Sequence, residues 1–154
     1  MVEIRRARED EAATLSGLAR ASKAHWPYPA AQIEVWLSDL TVSPEQIAAH
    51  PTYVAECDGE IAGFYQLLTQ EDAWILEHLW VLPAHMGKGY GRALLEYAAA
   101  LARHGGARIL SIDADPYAEP FYRACGARTV GTKAAPIEGL PDRVRPQMLI
   151  SLTV

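Results

Sequence analysis

The feature that most constrains this chain is a run past its middle, Met86-Gly87-Lys88-Gly89-Tyr90-Gly91-Arg92. It follows Trp74–Leu82, a strand-like stretch of large apolar residues closed by Pro83, and it precedes an apolar pattern of helical spacing: Ala93, Leu94, Tyr97, Ala98, Leu101 and Ala102. Three glycines alternate within five residues at this strand-to-helix junction, a costly choice in chain entropy for a turn that holds nothing. Glycine permits close approach of a ligand to the backbone, and the first N–H groups of a helix have no partner within it. With the positive end of the macrodipole, such a turn is suited to a phosphate or pyrophosphate, and Lys88 and Arg92 add charge around it. A P-loop is excluded, because Leu82 and Gly89 stand where G-x-x-x-x-G-K-[ST] needs Gly and Ser or Thr. The dinucleotide fingerprint fails as well, since its third glycine would fall on Arg92.

The remaining elements give this junction a context. Val2–Arg6 alternates as a strand does, and Glu9–Ala24 carries Ala12, Leu15, Leu18, Ala19 and Ser22 on one helical face. His25-Trp26-Pro27-Tyr28-Pro29 breaks that helix. A second helical stretch follows with Ile33, Trp36, Leu37 and Leu40 on one face, and Ser43-Pro44-Glu45 caps a third. Thr52–Cys57 and Ile61–Thr69 form a hairpin about Asp58-Gly59. The long helix stops at His104-Gly105-Gly106, and Arg108–Ala114 returns as a strand parallel to Trp74–Leu82. Tyr117–Cys125 is a short helix ended by Gly126, and strands near Arg128–Lys133 and Pro146–Leu152 flank a loop rich in Gly and Pro. The sum is an α+β (loosely α/β) chain with a mixed sheet of about seven strands and helices on its faces.

With 154 residues, half of them hydrophobic and 21% charged, the chain is expected to form one domain over 1–154. Lys and Arg number 14 against 19 Asp and Glu, a net charge of −5 with no basic cluster, which argues against nucleic acid as a partner. Apolar runs are too short for a membrane span, and the N-terminus has no apolar signal region. Cys57 and Cys125 make no disulfide framework or C-x-x-C site, so a reducing cytoplasm is expected. His50, His85 and His104 have no partner at ligand spacing, so no metal is expected.

Val81-x-Pro83 followed by Met86-Gly87-Lys88-Gly89-Tyr90-Gly91 resembles the V-x-P … [QR]-x-x-G-x-[GA] pattern of the GCN5-related N-acetyltransferases. Asp115-Pro116-Tyr117-Ala118-Glu119-Pro120-Phe121-Tyr122-Arg123-Ala124-Cys125-Gly126-Ala127 is similar to that family's N-x-x-A-x-x-[FL]-Y-x-x-x-G-[FA] segment. Met86 replaces the usual Gln or Arg, and Asp115 replaces the usual Asn. The resemblance implies a mostly antiparallel sheet with a central, splayed parallel pair, and acetyl-CoA as cosubstrate lying in the splay. It further implies contacts to backbone groups near Leu79 and Val81 and a pyrophosphate cradle from Gly87 to Arg92, with Met86 and Asp115 beside it. A homodimer is among the assemblies it implies.

Acetyl transfer to an amine needs a base for the attacking ammonium and an acid for the leaving thiolate. The resemblance assigns the acid to Tyr122, whose phenol has an ordinary pKa of about 10. Strict alternation puts Ile75, Glu77, Leu79 and Val81 on one face of their strand and His78 and Trp80 on the other. A carboxylate on so apolar a strand is costly to bury without a use, which makes Glu77 the base candidate. A bulge would favour His78, and a water chain is the third option. Trp26 and Tyr28 stand where the family shapes its acceptor pocket, and could meet an amine by cation–π attraction or pack inward as a cap. The expected activity is acetyl transfer from acetyl-CoA to the primary amine of a small molecule or peptide by direct attack in a ternary complex. The alternative is a non-catalytic acyl-CoA-binding sensor.

Overall fold

The structure, a computed structural model, describes residues 2–153. In chain order it runs β1 (Glu3–Arg6), α1 (Ala12–Ala24), α2 (Ala30–Val35), α3 (Pro44–Ala49), β2 (Thr52–Cys57), β3 (Glu60–Leu68), β4 (Ala73–Val81), α4 (Tyr90–His104), β5 (Ile109–Asp113), α5 (Glu119–Ala124), β6 (Arg128–Ala134) and β7 (Val144–Ser151). The strands form one sheet of seven in the order β1-β2-β3-β4-β5-β7-β6, antiparallel throughout except for the β4–β5 pair.

Local chemistry explains most of these boundaries. Asp58 (φ 51°) and Gly59 (φ 81°) take the left-handed conformations that let a two-residue turn match strand twist, so β2 and β3 pair as a hairpin. Ser43 and Gln46 exchange hydrogen bonds of 3.1 and 2.8 Å in a capping box that starts α3. The predicted face of α1 is the buried one: Ala12, Leu15, Leu18, Ala19 and Ser22. The second helix is shorter than its apolar spacing suggests. It ends at Val35, and turns carry Trp36–Leu40, so Leu40 is buried while Leu37 faces outward.

Two cores sandwich the sheet. Leu94, Leu95, Ala98 and Ala102 of α4, with Tyr122 of α5, pack on one face, and Leu15, Leu18, Ile33 and Ile47 from the first three helices pack on the other. Each fully buried side chain of that size contributes roughly 1.5–3 kcal/mol, which is how helices of only six residues are held.

Two irregularities in β4 create the site. Its parallel pairing with β5 covers only Ala73–Leu76 against Ile109–Ile112, after which the strands diverge. Residues 77–81 thus have no strand on that side. In the antiparallel pairing with β3, Gln66 faces His78 but Leu67 faces Leu76, so Glu77 is the extra residue of a β-bulge. The expected alternation is corrected here. Leu79 and Val81 side with Trp74 and Leu76 toward the α4 core, not with Ile75 and Glu77, while Trp80 packs into the opposite core.

Candidate active site

The divergence of β4 and β5 opens a cleft of about 910 Å³. One end is the glycine turn. Gly87 (φ 77°) and Gly89 (φ 90°) adopt backbone conformations that L side chains avoid, and Gly89 precedes α4 without any side-chain cap. The first helical hydrogen bond runs from the Ala93 amide to the Gly89 carbonyl at 3.1 Å, which leaves the amides of Tyr90, Gly91 and Arg92 ahead of the ladder. A Cβ on Gly91 would come within 3.1 Å of the Phe121 ring, so α4 and α5 meet closely only because the residue is glycine.

Side chains contribute less to this end than expected. Lys88 is exposed and outside the cleft wall. Arg92 donates to the Ala124 carbonyl at 2.9 Å and ties α4 to α5. Tyr90 turns its ring inward, edge-on to His85 at 5.5 Å. Met86 lines the cleft. The cradle is therefore built from backbone donors, which suit an anion whatever stands at position 86.

Tyr122, Glu77, His78 and Cys125 also line the cleft. Tyr122 is buried, and burial pushes its phenol well above the ordinary value, so it stays protonated at neutral pH. Among the described residues its hydroxyl has no hydrogen-bond partner, yet it is not sealed off, because the ring lines the cleft. Glu77 is exposed to the cleft and makes no ion pair among the described residues. His78 is buried, and burial lowers its pKa to about 4 against a weaker opposing pull from Asp39. Its Nδ1 accepts a hydrogen bond from Trp80 Nε1 at 3.0 Å. Burial also pushes the Cys125 thiol up.

The far end is an aromatic chamber around a buried charge cluster. Lys23 donates to Asp115 Oδ2 at 2.5 Å, Tyr28 donates to the same oxygen at 2.9 Å, and Arg143 reaches it at 3.4 Å. The Asp115 carboxylate also accepts from the Tyr117 amide at 2.8 Å. Burial, the largest influence, would raise the Asp115 carboxyl; Lys23, the Tyr117 amide and the Tyr28 hydroxyl together outweigh it and hold the group below its usual range. Lys23 is itself lowered, by burial first, with Asp115 opposing and Arg143 adding to the effect. Its ammonium lies 4.5 Å from the Trp36 ring centre. Asp115 thus faces this chamber, with its charge compensated, although the motif suggested a place beside the cofactor. Trp26 lines the cleft and stacks on Tyr117 at 5.3 Å, whereas Tyr28 packs behind the wall as a cap would. Lys23, Trp36, Asp39 and Arg143 were not read as site residues from sequence; Lys23 comes from α1, Trp36 and Asp39 from the turns after α2, and Arg143 from the loop before β7, so no local pattern joins them.

Residues 18–127 match the acetyltransferase (GNAT) family. The streptothricin acetyltransferase of Streptomyces lavendulae is 35% identical over 109 residues, 66% of this chain but only 57% of that protein. The aminoglycoside N(6')-acetyltransferase type 1 of Stenotrophomonas maltophilia is 32% identical over 102 residues, 58% of this chain and 67% of that one. The solved PaiA N-acetyltransferase of Thermoplasma acidophilum, in complex with coenzyme A, superposes with a TM-score of 0.80 at 20% identity, covering 98% of this chain and 99% of that chain. The chain belongs to the GNAT acetyltransferase family. No group of His, Cys, Asp or Glu among the described residues could hold a metal ion, and no helix among them is long and apolar enough to cross a membrane.

Proposed function

We propose that this chain is an acetyl-CoA-dependent N-acetyltransferase that acts on a primary amine of a small molecule or peptide, by direct attack in a ternary complex. The observation that carries the reading is the open edge of β4 between a backbone anion cradle and a protonated, unpartnered Tyr122. Gly87, Gly89, Tyr90, Gly91 and Arg92 would hold the pyrophosphate by their amides, with Met86 against them. The β4 backbone at Leu79 and Val81 would hold the pantetheine arm by edge pairing. The cosubstrate supplies the acetyl group as an activated thioester.

In this reading Glu77, raised out of the ladder by the bulge, takes the proton of the attacking ammonium. Tyr122 gives its phenolic proton to the leaving sulfur. Direct attack is favoured because burial holds Cys125, the cysteine in the cleft wall, as a thiol, and among the described residues it makes no side-chain hydrogen bond to a base that would activate it.

Calorimetry with acetyl-CoA, CoA and dephospho-CoA, followed by an amine-dependent thiol-release assay, tests the proposal. Micromolar binding with amine-dependent thiol release supports it. Binding without turnover over a broad amine panel would make the chain a sensor, and no binding would end both readings.

A further inference from the structure

His78 lines the cleft with its hydrogen-bonding state set by a neighbour on its own strand. It is over nine-tenths buried (8% exposed) on β4, with its ring beside Phe64 at 5.8 Å. Trp80 Nε1, which can only donate, donates to His78 Nδ1 at 3.0 Å. Nδ1 is therefore the lone-pair nitrogen, and in the neutral ring the hydrogen sits on Nε2. Among the described residues Nε2 has no partner and is not sealed from solvent, since His78 lines the cleft. Burial opposes a second proton, so the ring offers the cleft an N–H and no lone pair.

A donor that the fold leaves unpartnered at the cleft wall favours a ligand that brings an oxygen to it once binding has displaced water. Tyr122 and Glu77 line the same cleft. We infer that the accepted amine carries a neighbouring hydroxyl or carbonyl oxygen, which receives a hydrogen bond from Nε2–H of His78, with Trp80 as the positioning residue that fixes this tautomer. The inference rests on the N-acetyltransferase reading and narrows its acceptor. It also removes His78 from candidacy as the base, because its one lone pair is already engaged by Trp80.

The test compares amines matched in length: an unsubstituted alkylamine, the corresponding 1,2-amino alcohol and an α-amino amide. The wild-type protein is expected to favour the oxygen-bearing amines in kcat/KM by about 10- to 100-fold, the range for one neutral hydrogen bond whose loss strands a buried donor. His78→Phe should collapse that ratio toward one, and His78→Gln, which keeps an N–H donor, should restore part of it. Imidazole ¹⁵N spectra of the wild type should show the Nε2–H tautomer at neutral pH, and Trp80→Phe should lose it. Acetylation of all three amines at equal efficiency, or an equal fall for all three in His78→Phe, would overturn this inference alone. Acetylation of no amine would overturn the enzymatic reading and this one with it.

Discussion

Lys23 and Asp115 lie 92 residues apart in the chain and 2.5 Å apart in the fold. That ion pair joins α1 to the turn that leads from β5 into α5, and through Tyr28 and Arg143 it also gathers the aromatic loop and the β6–β7 loop. It fixes this end of the cleft to the element that carries Tyr122.

Removing the charge of Asp115 should damage stability first. Asp115→Asn leaves Lys23 and Arg143 buried without a counter-charge, a loss of about 3–5 kcal/mol for a broken buried pair. Thermal and urea melts measure it, and a variant as stable as wild type would contradict the cluster's role.

The pH dependence of wild-type stability has a definite sign. The folded Asp115 carboxyl titrates below its unfolded value of roughly 3.9, so its contribution is present above that value and is lost as pH falls through the lower folded one. Melts between neutral pH and strong acid should fall steeply at the acid end, and Asp115→Asn should flatten that part of the curve.

Gly89→Ala tests the cradle. The added Cβ meets nothing within 4 Å, but a φ of 90° is strained for any L side chain, at a cost of order 1–3 kcal/mol. Relaxing that strain moves the amides that open α4, and calorimetry should show acetyl-CoA affinity falling at least about tenfold, each factor of ten corresponding to about 1.4 kcal/mol. Unchanged affinity would mean that the turn does not hold the cosubstrate.

Two substitutions separate the proton-handling roles. Tyr122→Phe should lower kcat by roughly 10²-fold and leave acetyl-CoA affinity near wild type. Glu77→Gln should lower kcat by a similar factor and alter the pH–rate profile. An unchanged kcat in either variant would remove that residue from the mechanism.

Much of this fold is readable before folding, because its signals are local. Asp58-Gly59 announces its turn by conformational preference, α1 displays its buried face by spacing, and the alternating glycines mark the cradle. The site is less readable. The bulge at Glu77 is a mismatch between two strands rather than a property of either, so alternation read along β4 misplaces the residues beyond it. The partners Lys23, Asp115 and Arg143 meet only through the topology, and their charges look like ordinary surface charges in the sequence.

The most direct test of the account is thiol release from acetyl-CoA by the purified chain across a panel of primary amines, with mass spectrometry of the products. The account predicts thiol release that depends on the amine, saturates with it, and yields the singly N-acetylated product. Saturable acetyl-CoA binding with no amine-dependent release and no acetylated product would contradict it.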